Sequence, residues 1–302
     1  MSSDKWVAET VLVGILLAFI AGSVAVYEAV KLAGPGPACA SALLFAAQSG
    51  WGKSYHAQAW MESNADAYEG MVVLDYCREY RGLVKHGLAQ HWIVGPREQQ
   101  LSVSGWVDVL EANPQLVLEK HVRLTSDDWR AVCTRVAEAA RRIRRDQMVI
   151  VDEAHFVVPQ EGKLPQPLKE IATTGRGAGT SSMWITQRLA EIDKTITTQC
   201  QSRMLGGFKG GDLGSVSVEY TEDLHDPVKS PTGLSDELLP PGRETPTSLQ
   251  KHKNDEGHVI GSEWIYSDDD GEIRRINTQH VTMHSTHYGS QGNDLKPPEY
   301  TA

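Results

Sequence analysis

Closely spaced cysteines are missing from this sequence. Its 302 residues contain four cysteines, at positions 39, 77, 133 and 200, and no two of them form a CxxC pair. Zinc sites and disulfide frameworks are built from paired or regularly spaced cysteines, so this spacing argues against both. We expect free thiols, most of them buried, in a reducing compartment.

An excess of basic residues is also missing. Lysine and arginine total 29 against 39 aspartates and glutamates, a formal net charge of -10. The whole molecule therefore does not attract nucleic acid, and any such contact requires a local basic patch. One candidate patch lies on a predicted helix, where the arginines either contact phosphates or form a solvated helix face; they are Arg130, Arg135, Arg141, Arg142, Arg144 and Arg145.

Long apolar runs are scarce, and the longest is near the start. Residues 11–26 read VLVGILLAFIAGSVAV, without a charge. A membrane-spanning helix needs about 20 mostly apolar residues, which this run and its flanks approach. We predict a hydrophobic, transmembrane helix over residues 1–33, and a helix buried against the rest of the protein is the alternative. Its orientation is open, since Lys5 and Lys31 lie on opposite sides.

The middle of the chain alternates short apolar runs with helical stretches. This pattern predicts an α/β fold, a mostly parallel sheet flanked by helices, over residues 34–225. Helices are predicted for residues 54–61 and 127–145. The strand-like runs are residues 41–45, 71–74, 91–94, 115–118, 148–151 and 183–185.

The last part, residues 226–302, differs in amino-acid composition. Residues 226–257 are rich in Pro, Ser, Thr, Asp and Lys, which predicts an exposed linker. Residues 259–266 and 272–277 flank Ser-Asp-Asp-Asp-Gly, a β-hairpin signal. From residue 287 onward we predict a flexible tail. The histidines of this part are interpreted as ordinary surface residues rather than metal ligands; they are His280, His284 and His287.

A glycine-rich loop joins the first predicted strand to the first predicted helix. Residues 47–54 read Ala-Gln-Ser-Gly-Trp-Gly-Lys-Ser, which matches G-x-x-x-x-G-K-[ST] at every fixed position except the first. Such a loop turns backbone N–H groups toward phosphates, and the helix that follows adds its positive end. We predict ATP binding by residues 48–55, with the lysine on the phosphates and the serine on Mg²⁺; they are Gln48, Ser49, Gly50, Trp51, Gly52, Lys53, Ser54 and Tyr55.

Two carboxylates end a second apolar run. Gln147-Met-Val-Ile-Val leads into Asp152 and Glu153. In a phosphate-loop fold this strand end lies beside the nucleotide, so we expect Asp152 to hold Mg²⁺ and Glu153 to polarise the attacking water. The alternative is that both residues only begin a helix.

Two further residues are candidates for catalysis. Arg176 lies within Gly-Arg-Gly-Ala-Gly, where it is suited to be an arginine finger inserted into a neighbouring subunit's site. Gln187 ends the run Ser-Met-Trp-Ile-Thr, where it is suited to sense the γ-phosphate. A solvated arginine and a buried structural glutamine are the respective alternatives.

Together these motifs resemble the HerA/FtsK superfamily of ring-forming P-loop ATPases over about residues 38–220. Asp75-Tyr-Cys-Arg-Glu-Tyr-Arg-Gly and the hairpin resemble ATP-binding proteins of haloarchaea and their viruses, including pleolipoviruses. The resemblance implies a RecA-like core in a hexameric ring that uses ATP and Mg²⁺ to move double-stranded DNA.

Three functions remain open at this point. The first is a membrane-associated motor that translocates double-stranded DNA, with its ATPase domain in the cytoplasm or inside a virion. The second is a membrane or virion assembly ATPase that moves no nucleic acid. The third is a nucleotide-binding module without hydrolysis, against which Glu153 argues.

Overall fold

A ten-stranded sheet organises the protein. The computed structural model describes residues 42–216 and 222–289, and the sheet runs in the order β10-β9-β7-β1-β6-β5-β2-β4-β3, with β8 paired to β9. The pairings from β7 to β3 are all parallel, whereas β8, β9 and β10 are joined by antiparallel pairings. The mostly parallel sheet predicted from the sequence is therefore confirmed.

Eight of the ten strands in the described residues lie close to predicted runs, and the two that begin at Ser202 and Lys251 were not predicted. The ten strands are β1 Ala42–Ala46, β2 Gly70–Asp75, β3 Gln90–Val94, β4 Gln115–Lys120, β5 Gln147–Val151, β6 Thr180–Thr186, β7 Ser202–Leu205, β8 Lys251–Lys253, β9 Val259–Asp268 and β10 Ile273–Asn277. The helices of the described residues are α1 Lys53–Asn64, α2 Arg81–Lys85, α3 Val103–Ala112, α4 Ser126–Arg142, α5 Gln166–Thr173, α6 Lys194–Gln199 and α7 Glu222–His225.

Both faces of the sheet are buried. Along β1, Leu44 packs with the large side chains of α3 and α4, among them Trp106 and Trp129. Its neighbours in the strand, Leu43 and Phe45, face the opposite layer, formed by α1 and the C-terminal region. This alternation follows from the two-residue repeat of a strand, and coverage on both faces explains why the strands are apolar throughout.

The C-terminal region is part of this fold. β9 pairs with β7, so the predicted hairpin extends the central sheet instead of lying apart from it. Leu224, Leu238 and Leu249 are buried, and Arg275 donates hydrogen bonds to the carbonyl oxygens of residues 238, 247 and 248. Although more than half of residues 226–257 are exposed, the buried Leu238 and Leu249 and the hydrogen bonds of Arg275 hold this segment against the sheet.

Two predicted segments fall outside the described residues. They are the hydrophobic helix of residues 1–33 and most of the flexible tail, residues 290–302. In residues 42–216 and 222–289, no helix has both the length and the hydrophobicity needed to cross a membrane.

Candidate nucleotide site

The glycine-rich loop follows β1 at the carboxyl edge of the parallel strands. Gly50 and Gly52 have φ values of 70° and 88°, a left-handed conformation that other residues rarely adopt. Gly52 also caps the N-terminus of α1. The strand–loop–helix arrangement predicted from residues 47–54 is thus present, and it aims the positive end of α1 at the space above the loop.

Trp51 anchors this loop from beneath. Its side chain is fully buried, and its indole Nε1 donates a hydrogen bond of 3.0 Å to the carbonyl oxygen of Glu263. The ring lies against Gly206 and Gly207, where an added Cβ would come within 2.4 Å of ring atoms. We predicted a nucleotide-binding residue here, and the structure places the side chain in the core, away from the cavity. Only the backbone of Trp51 remains available to a phosphate.

The other predicted loop residues divide by position. Those that line one cavity above the loop are Ser49, Gly50, Gly52, Lys53, Ser54 and Tyr55. Gln48 instead ties the loop to the strand next to β1, because its backbone N–H donates to the carbonyl oxygen of Gly207 at 2.9 Å. The Tyr55 hydroxyl donates to the carbonyl oxygen of Val281 at 3.2 Å.

Lys53 is the cation of the cavity. Burial lowers its pKa, and the nearby carboxylates Glu153, Asp152 and Glu79 act in the opposite direction. A buried ammonium group surrounded by three acids is suited to bind a ligand that carries several negative charges.

Asp152 lies at the end of β5 and is almost fully buried. The Tyr80 hydroxyl lies 3.4 Å from its Oδ1, while Oδ2 has no hydrogen-bond partner within the described part of the chain. Burial, followed by the neighbouring charges of Asp75 and Glu153, raises its pKa well above the usual range. A buried carboxylate oxygen without a partner, close enough to Glu153 and Lys53 for their charges to affect its pKa, fits a hard divalent cation such as Mg²⁺.

Glu153 follows with an unusual backbone. Its φ of 45° lies in the left-handed region, which is uncommon for a residue with a side chain and typical of functional sites. The carboxylate lines the cavity, and Oε2 lies 3.2 Å from His155 Nδ1 without making a hydrogen bond. Burial raises its pKa, against the opposing effects of the charges of Lys53 and Arg188 and of a hydrogen bond with the Gln187 backbone. Gln187 itself lines the same cavity.

Sequence reasoning missed Glu79. This residue follows β2, whose end lies beside that of β5, and it lines the cavity with Glu153. Burial and Asp75 raise the pKa of Glu79 to about 7, with Lys53 acting in the opposite direction. Its position a few residues after a buried strand, at the same sheet edge as Asp152, could have indicated this placement.

Other missed residues come from the C-terminal region. The cavity measures about 710 Å³, and its remaining lining comes from the start of β9 and from residues 287 and 289. Nothing local in these segments indicates a site, because they reach the loop through contacts between distant parts of the chain.

Arg176 is not brought to this cavity. Its backbone lies in the turn Gly175–Ala178, just before β6. The loop at residues 47–52 follows the carboxyl end of β1, and β1 and β6 are parallel neighbours. The backbone of Arg176 therefore lies at the opposite edge of the sheet from the phosphate loop of its own chain.

The fold matches several solved structures at low sequence identity, although no family model and no curated protein matches the sequence. The genome packaging NTPase B204 from Sulfolobus turreted icosahedral virus 2, in complex with ATP-gammaS, has a TM-score of 0.51 and 14% identity over 80% of this chain and 98% of that one. Its sulfate complex has a TM-score of 0.52 and 12% identity, over 78% and 95%. VirB4 of Thermoanaerobacter pseudethanolicus has a TM-score of 0.51 and 12% identity, over 80% and 90%.

These similarities agree with the geometry. The phosphate loop follows β1 and the acidic pair follows β5, with the parallel strand β6 between them. The chain therefore has the fold of a P-loop NTPase.

Proposed function

We propose that this protein is a magnesium-dependent ATPase that works as a motor of the HerA/FtsK type and translocates double-stranded DNA. The observation that carries the proposal is the buried Asp152 oxygen without a protein partner, at the sheet edge that holds the phosphate loop and Lys53. The similarity to B204 supports it, because that protein is a genome packaging NTPase whose structure contains ATP-gammaS.

Each residue has a distinct role in this proposal. The loop amides and Lys53 bind the phosphates, Ser54 and Asp152 hold Mg²⁺, and Glu153 orients a water and receives its proton. Bound Mg²⁺ would offset the charge that develops on the phosphates. Attack of the water on the γ-phosphorus breaks the bond to the bridging oxygen and yields ADP and phosphate. Gln187 is placed to respond to the γ-phosphate.

In the proposed oligomer, the arginine finger comes from a neighbouring subunit. Since Arg176 and the phosphate loop lie at opposite edges of one sheet, an arginine finger at this position must act on a neighbouring subunit. We therefore propose a hexameric ring, anchored to a membrane by the predicted helix of residues 1–33, with the ATPase domain in the cytoplasm or inside a virion.

Hydrolysis measured with and without double-stranded DNA tests this proposal. We expect DNA to raise the turnover, turnover per subunit to rise with protein concentration, and Arg176→Ala to remove most of it, by roughly 10³-fold. Arg243→Ala, which truncates an exposed arginine outside both the cavity and the candidate basic patch, is the control and should retain turnover. Hydrolysis that ignores DNA would reject the motor and favour the assembly ATPase, and absence of hydrolysis would leave only nucleotide binding.

A further inference from the structure

The cavity above the phosphate loop has two chemically different walls. Lys53, Glu79 and Glu153 form a charged wall, whose groups influence one another electrostatically. The second wall comes from residues 259–262, with Tyr55, His56 and His287, and none of these carries an acidic or permanently charged side chain. The volume of about 710 Å³ is in the range of sites for ligands much larger than a phosphate chain.

Two exposed apolar side chains mark the second wall. Val259 and Ile260 are 42% and 45% exposed, and they are half of the large hydrophobic residues found exposed in residues 42–216 and 222–289. Both residues line the cavity, and exposed aliphatic groups there indicate a surface that a ligand covers, because covering them is favourable. A triphosphate has no apolar surface to do so.

Aromatic and imidazole rings make up the rest of this wall. Tyr55 meets His56 and His287 edge to face, with ring centroids 5.4 Å and 5.9 Å apart. Burial lowers the pKa of His287 to about 4, so its imidazole is neutral at neutral pH. Neutral rings and aliphatic side chains are the partners that a planar heterocycle prefers.

This wall is fixed to the phosphate loop and to α1. Ser262 Oγ donates to the carbonyl oxygen of Trp51 at 2.7 Å, which joins β9 to the loop. His287 Nδ1 lies 2.9 Å from Gln58 Oε1, and Glu62 accepts hydrogen bonds from the backbone and hydroxyl of Ser285 at 2.8 and 2.6 Å. The wall is therefore preformed next to the phosphate loop, where the sugar and base of a bound nucleotide would lie.

We propose that Val259 and Ile260, together with Tyr55 and His287, form the binding site for the purine base of the nucleotide. This inference rests on the proposed nucleotide site and adds the surface that the base covers. It makes the C-terminal region a part of the site, contributed by a strand more than 200 residues after the phosphate loop.

Calorimetric titration of the full-length protein with ATPγS and with inorganic tripolyphosphate, both with Mg²⁺, tests the inference. We expect Val259→Ala/Ile260→Ala to weaken ATPγS binding by about tenfold. Tripolyphosphate, which lacks a base, should bind this variant as it binds the parent. The matched control is Val122→Ala/Val228→Ala, which truncates two exposed aliphatic side chains outside the cavity and should change neither affinity.

The two proposals fail in different ways. Lys53→Ala should weaken the binding of both ligands. If this variant binds both as tightly as the parent protein does, the phosphate site itself is contradicted. An unchanged ratio of the two affinities in Val259→Ala/Ile260→Ala would overturn the base site alone. Photolabelling of the parent protein with 8-azido-ATP does not depend on a variant that folds. Label on the peptides with residue 55, residues 259–262 or residue 287 supports the inference, and label confined to other peptides overturns it.

Discussion

Two buried acidic side chains end parallel strands at the same edge of the sheet, and their surroundings are opposite. Glu119, in β4, accepts two hydrogen bonds of 2.7 Å from the guanidinium of Arg81 and lies 3.0 Å from His91 Nε2. Asp152, after β5, has one long contact with Tyr80 and an oxygen without a partner among the described residues.

The pKa values follow these surroundings. Burial alone would raise the pKa of Glu119, but His91 and Arg81 outweigh it and hold the value at about 2. For Asp152, burial and the negative neighbours act together, so the pKa rises well above its usual range. A carboxylate that the protein has already neutralised stabilises the fold, whereas one left without a cation indicates where a ligand binds.

The largest effect is expected when the guanidinium that neutralises Glu119 is removed. Arg81→Met should lower the free energy of unfolding by about 3–5 kcal/mol, because a buried charge loses its partner. Urea denaturation measures the change. The double variant Arg81→Met/Glu119→Leu should recover much of it, and a loss in the double variant as large as in the single one would contradict the pairing.

The second-largest effect is expected when a cation is supplied to Asp152. Mg²⁺ with ATPγS at a hundred times its Kd should raise the free energy of unfolding by about 2.7 kcal/mol, since only the folded state binds it. In Asp152→Asn we expect a tenfold weaker affinity, and hence a gain of about 1.4 kcal/mol at the same concentration. Thermal unfolding with Mg²⁺ or with EDTA measures both.

Asp146→Asn is the matched control for this measurement, because Asp146 is exposed and lies at the opposite edge, just before β5. It should keep the full gain. An equal gain in all three proteins would show that Asp152 does not hold the metal.

Lowering the pH should remove the contribution of Glu119 to the free energy of unfolding. The folded pKa of about 2 lies below the unfolded value of 4.5, so the contribution is complete above pH 4.5 and is lost as the pH falls toward 2. Allowing for partial solvent screening, we expect a loss of about 2 kcal/mol over this window. Urea denaturation across the window should show a loss about 2 kcal/mol smaller in Glu119→Gln than in the parent, because other carboxylates titrate in both.

The smallest effect concerns acids paired near the surface. Arg141, on α4, pairs with both Glu138 and Glu170, and all three side chains are about a quarter exposed. Glu170→Gln should cost only about 0.5 kcal/mol, because water already screens such pairs. A loss above 2 kcal/mol in urea denaturation would mean that exposure does not separate these acids from Glu119.

Much of this arrangement could be predicted from the sequence. The strands of the core are short apolar runs between turn residues, and parallel strands place everything that follows them at one edge. Gly50, Lys53, Asp152 and Glu153 could therefore be assigned to one site before the fold was known. A predicted helix over residues 127–145 was also correct in place, although α4 ends at Arg142, where Ile143 turns to an extended backbone.

What could not be predicted depends on contacts between distant parts of the chain. Trp51 lies in the glycine-rich loop, yet its ring packs against Gly206 and Gly207 in the core. Val259 and Ile260 line the cavity only because β9 pairs with β7 across the sheet. No local pattern near residue 259 carries that information.

The most direct test of the account is ATP turnover by Lys53→Ala beside Lys120→Ala. Both lysines lie at the carboxyl edge of the sheet, but Lys53 lines the cavity while Lys120 rests over the Tyr76 ring, 4.9 Å from its centre. We predict that Lys53→Ala loses at least about 10²-fold in turnover and that Lys120→Ala keeps it. Undiminished turnover in Lys53→Ala would contradict the assignment of this cavity as the site of hydrolysis.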